Sequence, residues 1–236
     1  MMKRSAHLGV DMAKEMVWID LEMTGLDLEN ESIIEIATII TDAELNIIAE
    51  GPNLAIQVRD ELLENMDEWN TTHHTASGLV DRVRNDGVTL KDAIAQTCKF
   101  LSENIEPGTA PLCGNSVHTD RAFLAKEMPE VLEMLHYRIV DVSTIKELAN
   151  RWYPENPRYK KKEAHRALDD IIESIEELRY FRKTLFRDGR PCEMLKSRLG
   201  LLLQSLQDFL HRCLDRLDNL LDLTFLGIFQ HRVQLL

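Results

Sequence analysis

The chain has 236 residues, in which 28 Lys and Arg stand against 40 Asp and Glu and give a formal net charge of −12. Proteins that hold long nucleic acids usually present a basic surface to the phosphates, so this composition excludes an extended basic groove and limits any nucleic-acid ligand to a few nucleotides. The sequence also has no run of roughly 18 apolar residues, which excludes a membrane-spanning helix.

Residues 17–25 predict the first strand and the first candidate site. Apolar residues alternate there with Trp18, Asp20 and Glu22, the period of a strand with one buried face, so the two acids project from the same side about 7 Å apart. Neighbouring carboxylates that lose hydration stay ionised only beside a cation. Hard oxygen ligands of this kind favour magnesium or manganese. The alternative is an exposed strand end with solvated acids.

The elements that follow predict a mixed sheet flanked by helices. Residues 33–40 are almost continuously apolar, as in a central strand buried on both faces, and residues 45–58 form a third strand with a bulge or edge position at Gly51 and Pro52. Short turns join these three strands into an antiparallel meander. Two short strands follow, at 110–113 and 139–142. Helices are predicted at 60–66, at 77–84, at 89–104 with Thr89 as N-cap, and at 164–185. A further helix begins near residue 119, and another has Ser143 as its N-cap and ends at residue 152. This is an α/β layer.

Two further acidic positions lie where sites form. Asp120 follows the loop 114–116 and opens a helix, which places it near the carboxyl end of a strand; a first-turn acid that complements the helix dipole is the alternative. His165 precedes Asp169 and Asp170, and an imidazole is the usual group for taking a proton from an attacking water, although a lone histidine is more often solvated. Helical spacing favours Asp169 as the neighbour of His165 and leaves the choice of acid open.

Together these positions resemble the motifs of the DEDDh 3′→5′ exonucleases, which have the ribonuclease H-like fold. The motifs are Asp20-Leu21-Glu22, Asp120 after Gly114-Asn115-Ser116, and His165-x-Ala167-x-x-Asp170. Residues 18–27, 47–52 and 136–144 resemble the oligoribonuclease family within that group, over roughly residues 16–186. The resemblance implies an enzyme that degrades very short RNA, especially dinucleotides, to nucleoside 5′-monophosphates.

The resemblance also implies a set of site residues. The ligands of two divalent cations, Mg²⁺ or Mn²⁺, would be Asp20, Glu22, Asp120 and Asp170, with Asp170 taking the role that spacing leaves open, and His165 would be the general base. Leu26 and Trp69 would hold the two terminal bases, and His74 would line the site. On its own, Trp69 favours core packing, and a surface role is the alternative for His74.

A cap over the 5′ phosphate is implied in the same way. Its positions are Ser116, Ser143, Tyr137 and Arg138, the last two contributed by the partner subunit of a homodimer. The alternative for Tyr137 and Arg138 is an amphipathic rim ahead of a strand.

Three segments follow from this reading: an N-terminal arm at 1–15, an exonuclease domain at 16–186 and an extra helical tail at 187–236. The tail carries an a/d heptad seam without a catalytic set, so a non-catalytic dimeric scaffold stays open, as does a proofreading-type exonuclease on longer DNA. Four scattered cysteines and no recognisable secretory signal predict a reducing compartment, the cytoplasm or, for a eukaryotic source, the mitochondrion.

Overall fold

The computed structural model describes residues 15–155, 158–159 and 166–186. The chain divides into two compact units, Met1–Phe186 and Arg187–Leu236, and all described residues belong to the first. The predicted tail, and the predicted arm apart from residue 15, lie outside the described residues, so the assignment of three segments stays a prediction.

A five-stranded mixed sheet forms the centre of the fold. Its strands are β1 (Met16–Met23), β2 (Ile33–Thr41), β3 (Ile47–Ala55), β4 (Pro111–Gly114) and β5 (His136–Asp141), in the spatial order β3-β2-β1-β4-β5. The first three strands pair antiparallel, while β4 runs parallel to β1 and β5 runs parallel to β4. The predicted meander with two further strands is therefore confirmed.

Helices cover both faces of this sheet. They are α1 (Asp60–Glu64), α2 (Glu68–Ala76), α3 (Leu79–Asn85), α4 (Leu90–Asn104), α5 (His118–Glu127), α6 (Pro129–Glu133), α7 (Val142–Trp152) and α8 (Ala167–Thr184). Apolar residues of α4 and α5 pack on one face of β1 and β2, and those of α7 and α8 pack on the other. The predicted α/β class is confirmed. Within the described part of the chain, no helix is long and apolar enough to cross a membrane.

The first strand is buried more completely than its alternation predicts. Val17, Ile19 and Leu21 pack toward α4 and α5, as expected, but Trp18 is also fully buried on the opposite face, among residues of α8. The prediction of a single buried face was wrong because a helix 150 residues later in the chain covers the second one. Asp20 and Glu22 therefore share the face on which α8 packs.

Several predicted boundaries also change. Helices α2 and α6 are absent from the sequence interpretation; α2 is rich in Thr and His, which are weak helix formers, and its start depends on the Asp67 side chain accepting from the Asn70 amide. The N-cap of α7 is Asp141, whose carboxylate accepts from the Ser143 amide, so the expected Ser143 cap was wrong. Strand β5 begins at His136, three residues earlier than expected.

The burial of β2 generates a stability prediction. Ile36 is fully buried in the core between the sheet and α4, so Ile36→Ala removes its contacts and leaves a cavity. We expect the free energy of unfolding to fall by about 2–5 kcal/mol in urea titrations. The matched control is Ile48→Ala on β3, where the side chain is 54% exposed and the loss should stay below about 1 kcal/mol. Equal losses at both positions would contradict the assigned burial.

Candidate active site

Three carboxylates meet between β1 and α8. Asp20 and Glu22 lie two residues apart on β1 and therefore point to one face, while Asp170 comes from the first turn of α8. One carboxylate oxygen from each of the three lies within 4.8 Å of the others. All three side chains are half-buried, which reduces the solvation of their charges. This set, called the carboxylate cluster below, has the donor chemistry that divalent cations require.

The buried face of α8 determines which acid joins the cluster. Ala167 and Ile171 are buried against the sheet, and Asp170 lies on the same side of the helix because it is three residues after Ala167. Asp169 is off that face and exposed. The structure thus brings Asp170, and not Asp169, to the predicted acids of β1.

Asp120 lies beside the carboxylate cluster but is not one of the three acids whose oxygens lie within 4.8 Å of one another. It is in the first turn of α5, is 7% exposed, and its Oδ1 accepts a hydrogen bond from the Leu21 amide at 3.0 Å. That bond attaches Asp120 to the residue between Asp20 and Glu22. Burial raises the pKa of Asp120 to about 6, although the Leu21 amide opposes the shift.

Glu22 carries the strongest sign of accumulated negative charge. Burial first, and then the charges of Asp170, Glu35 and Asp120 in that order, together raise its pKa to about 8. A divalent cation would relieve both causes, since it replaces lost hydration and offsets the repulsion. The residues present therefore fit a divalent-cation site.

Glu35 is a neighbour that sequence reasoning missed. It pairs with Glu22 in the register of β1 and β2, is 1% exposed, and forms an ion pair with Arg82 of α3. The available signal was a single charged residue in the otherwise apolar run 33–40. A buried acid at this position needs a positively charged partner, and the sequence alone does not identify which basic residue that is.

His74 lies against the cluster. It is 4% exposed, its Nε2 lies 3.0 Å from the carbonyl oxygen of Met23, and its Nδ1 lies 3.9 Å from Glu22. Since a carbonyl only accepts, Nε2 carries the proton. Burial lowers the pKa of His74, which favours the neutral ring. The predicted site-lining position fits this burial, and the alternative of a surface role was wrong.

Leu26 and Trp69 are both exposed near the end of β1. Leu26 is 75% exposed in the turn after the strand, and Trp69 is 58% exposed on α2 with its ring stacked on His73 at 3.9 Å between centroids. The bond from His74 to Met23 holds α2 against the end of β1. Core packing for Trp69 was therefore wrong, and both side chains are open to a ligand.

The four predicted cap residues occupy two places. Ser116 and Ser143 are adjacent, with hydroxyl oxygens 3.2 Å apart, and Ser116 has a left-handed backbone with φ of 52°. The Ser116 amide donates to Asp141 and to Ser143, both at 3.0 Å. Tyr137 and Arg138 are exposed on the edge strand β5, and Arg138 lies 5.5 Å from the centroid of the Tyr137 ring. Both residues belong to β5 itself, so the alternative interpretation of an amphipathic rim ahead of a strand was wrong.

The predicted base, His165, lies outside the described residues. Its role stays a prediction from the sequence motif.

Comparison with known proteins assigns the family. Residues 17–178 match the family model described as Exonuclease, RNase_T. The mouse protein named "Oligoribonuclease, mitochondrial" is 54% identical over 181 residues, which cover 76% of each chain. The Vibrio parahaemolyticus protein named "Oligoribonuclease" is 55% identical over 175 residues, which cover 74% of this chain and 97% of that one. The chain belongs to the oligoribonuclease family of exonucleases. This family membership confirms the predicted exoribonuclease activity.

Solved structures support the fold of this family member. Exonuclease I of Methylocaldum szegediense aligns with a TM-score of 0.57 at 17% identity and covers 72% of this chain. The E. coli ExoI–ssDNA complex aligns with a TM-score of 0.60 at 13% identity and covers 73% of this chain. The chain spans about two fifths of both neighbours, 41% in each case. At these identities the likeness concerns the fold alone, and the predicted ribonuclease H-like fold is confirmed.

The raised pKa of Glu22 predicts how stability depends on pH without metal. Between the ordinary glutamate pKa of 4.5 and the raised pKa of about 8, the folded protein keeps a proton on Glu22 that the unfolded chain has released, so this group lowers the free energy of unfolding as pH rises. Glu22→Gln should remove this contribution, a slope of at most about 1.4 kcal/mol per pH unit. Urea titrations in chelator, at about pH 5 and about pH 8, measure it.

The control for this measurement is Glu50→Gln, the same substitution at an exposed position of β3. It should leave the pH dependence of unfolding as in the wild type. A Glu22→Gln protein with the wild-type slope would show that Glu22 keeps its ordinary pKa.

Proposed function

We propose that this oligoribonuclease-family enzyme removes nucleoside 5′-monophosphates from the 3′ end of very short oligoribonucleotides, dinucleotides above all, with two divalent cations, Mg²⁺ or Mn²⁺. The observation that carries the proposal is the carboxylate cluster, in which β1 and α8 hold three acids with oxygens within 4.8 Å of one another. The names and identities of the relatives support the substrate class. The net charge of −12 supports a short ligand, since a dinucleotide needs only a few placed cations.

The metal ligands in this proposal are Asp20, Glu22, Asp120 and Asp170. These acids would hold the cations, which would supply Lewis-acid chemistry that offsets negative charge at the scissile phosphate and at the leaving 3′ oxygen. The chain's own contribution is to hold the acids before the ligand arrives. Packing fixes Asp170 on α8, and the Leu21 amide fixes Asp120, so little reorganisation is needed on binding.

Proton transfer is assigned to His165, which would accept the proton of the attacking water. The sequence motif supports this role. His74 does not suit it, because its protonated Nε2 is held by the Met23 carbonyl and its other nitrogen faces Glu22. We assign His74 to holding α2 against the end of β1.

The two terminal bases would lie between Leu26 and Trp69. Both side chains are exposed beside the end of β1, and an aromatic face stacks on any base. Such contacts suit an enzyme that does not read sequence.

The limit on substrate length would come from the 5′-phosphate cap of Ser116 and Ser143, completed by Tyr137 and Arg138 of a second copy in a homodimer. The two serine hydroxyls lie side by side, and Arg138 supplies the positive charge that a phosphate dianion favours. Tyr137 is 70% exposed on an edge strand, where it could reach a partner subunit.

We also propose a reducing compartment, the cytoplasm or, in a eukaryotic source, the mitochondrion. Relatives of nearly equal identity include mitochondrial proteins of mammals and bacterial oligoribonucleases.

Two neighbouring acids provide a direct test of the metal site. Asp170→Asn should lower the rate of dinucleotide hydrolysis by about 1,000-fold or more, because it removes a charge that holds a cation. Asp169→Asn, one residue earlier and exposed, should change the rate by less than about twofold. Release of labelled mononucleotide in Mn²⁺ measures both, and circular dichroism checks that both variants fold. Equal losses would contradict the assignment of Asp170.

The cap assignment is tested by substrate length. Tyr137→Ala should weaken the preference for dinucleotides over longer RNA by about tenfold, because the 5′ end is no longer enclosed. The rate is measured on a ladder of oligoribonucleotides, with Tyr153→Ala, at another exposed tyrosine, as control. An unchanged length profile in Tyr137→Ala would refute the cap.

The same assay separates the other functional classes. Cleavage of a labelled dinucleotide in metal, its loss in chelator and weak action on long DNA are expected. Preferential cleavage of long DNA would favour a proofreading-type enzyme. Silence in every condition would favour the non-catalytic scaffold.

A further inference from the structure

Asn115 links the cap serines to the helix that carries Asp170. It follows β4 in the chain and bonds to residues of α7 and α8. Its Oδ1 accepts from the Ser143 hydroxyl at 3.0 Å, and its Nδ2 donates to the Ser174 hydroxyl at 2.7 Å. The Ser174 hydroxyl in turn donates to the carbonyl oxygen of Asp170 at 2.8 Å. A continuous line of hydrogen bonds thus joins Ser143 to the backbone of a cluster acid.

The direction of each bond in this line is determined. The Asp170 carbonyl oxygen only accepts, so the Ser174 hydroxyl donates its one proton to it and must accept from Asn115. Asn115 Nδ2 also lies 3.3 Å from the carboxylate of Glu177, and a Glu177 oxygen lies 3.0 Å from the amine of Lys146. Rotating the amide by half a turn would place its oxygen against that carboxylate. The amide nitrogen therefore faces α8 and the oxygen faces Ser143.

The surroundings make this line stiff. Ser174 is 3% exposed and Glu177 is 1% exposed, so loss of Asn115 would leave shielded polar groups with fewer hydrogen bonds. At the other end, the Ser116 amide donates to Ser143 and to Asp141, which holds both serines in one arrangement. The span from the cap serines to Asp170 is consequently fixed by the fold before a ligand binds.

We propose that Asn115 is a positioning residue that sets this span, and so places the scissile phosphate at the carboxylate cluster when a 5′ phosphate occupies the cap. The inference rests on the proposed function. A ligand anchored at one end reacts efficiently only if its other end falls at the reacting groups, and misplacement by about 1 Å costs about 100-fold in rate. Asn115 would therefore act on turnover of 5′-phosphorylated substrates more than on their binding.

The test compares a 5′-phosphorylated dinucleotide with the same dinucleotide bearing a 5′ hydroxyl, both at saturation in Mn²⁺. In the wild type, kcat should be higher for the phosphorylated form. Asn115→Ala should reduce the ratio of the two kcat values by about tenfold, while KM for the phosphorylated form stays within about threefold, because both cap serines remain. Ser174→Ala breaks the line on the α8 side and should reduce the ratio as well.

The ratio is insensitive to a merely structural defect, since a partly unfolded sample lowers both kcat values equally. The matched control is Asn104→Ala, an exposed asparagine whose side chain donates to Phe100 of its own helix, and it should leave the ratio unchanged. Mn²⁺ affinity of the substrate-free protein, measured by calorimetry, should stay within about threefold in Asn115→Ala. A larger loss would mean that Asn115 supports the metal site itself, and would overturn the inference.

The remaining outcomes separate this inference from the proposed function. If the wild type releases no mononucleotide from either dinucleotide, the proposed function fails and the inference fails with it. If the wild type cleaves both with equal kcat, or if its ratio persists in Asn115→Ala and Ser174→Ala, the function stands and the role of Asn115 is refuted.

Discussion

Repulsion among Asp20, Glu22 and Asp170 is the constraint on which the rest of this structure depends. Each carboxylate is half-buried, and at the short distances between the three their negative charges repel one another. The fold overcomes this repulsion with packing: β1 is buried on both faces, and α8 docks on it through Ala167 and neighbouring apolar residues. The stored electrostatic cost is what makes the site favourable for a cation, because a bound ion removes it.

The short-range part of the site could be read from the sequence. Alternation along β1 places Asp20 and Glu22 on one side, and this needs no knowledge of the remaining chain. The meander and the bulge followed from β-branched runs and from Gly51 and Pro52. Two residues of β3, at 51 and 52, do oppose the single residue 38 between the paired positions 37–53 and 39–50. Local rules succeeded where local geometry decides the answer.

The long-range part could not be read in this way. The choice of Asp170 over Asp169 depends on which side of α8 is buried, and that is determined by β1 and β2, far away in the sequence. The ion pair of Glu35 with Arg82 and the bond of His74 to Met23 likewise join distant elements. A resemblance to a family could name several of these positions. It could not supply the hydrogen bonds of Asn115, which connect three elements through a single amide.

Irregular strand register marks both margins of the sheet. Pro52 has no N–H, and the extra residue twists the strand, so β3 pairs poorly with a strand of another molecule. The opposite margin, β5, has no proline but carries its own irregularity: Pro111 pairs with His136 and Leu112 pairs with Ile139, so Tyr137 and Arg138 are extra residues outside the regular ladder with β4. Strand-to-strand growth by a second molecule would thus be discouraged at both margins, which protects the sheet against open-ended polymerisation.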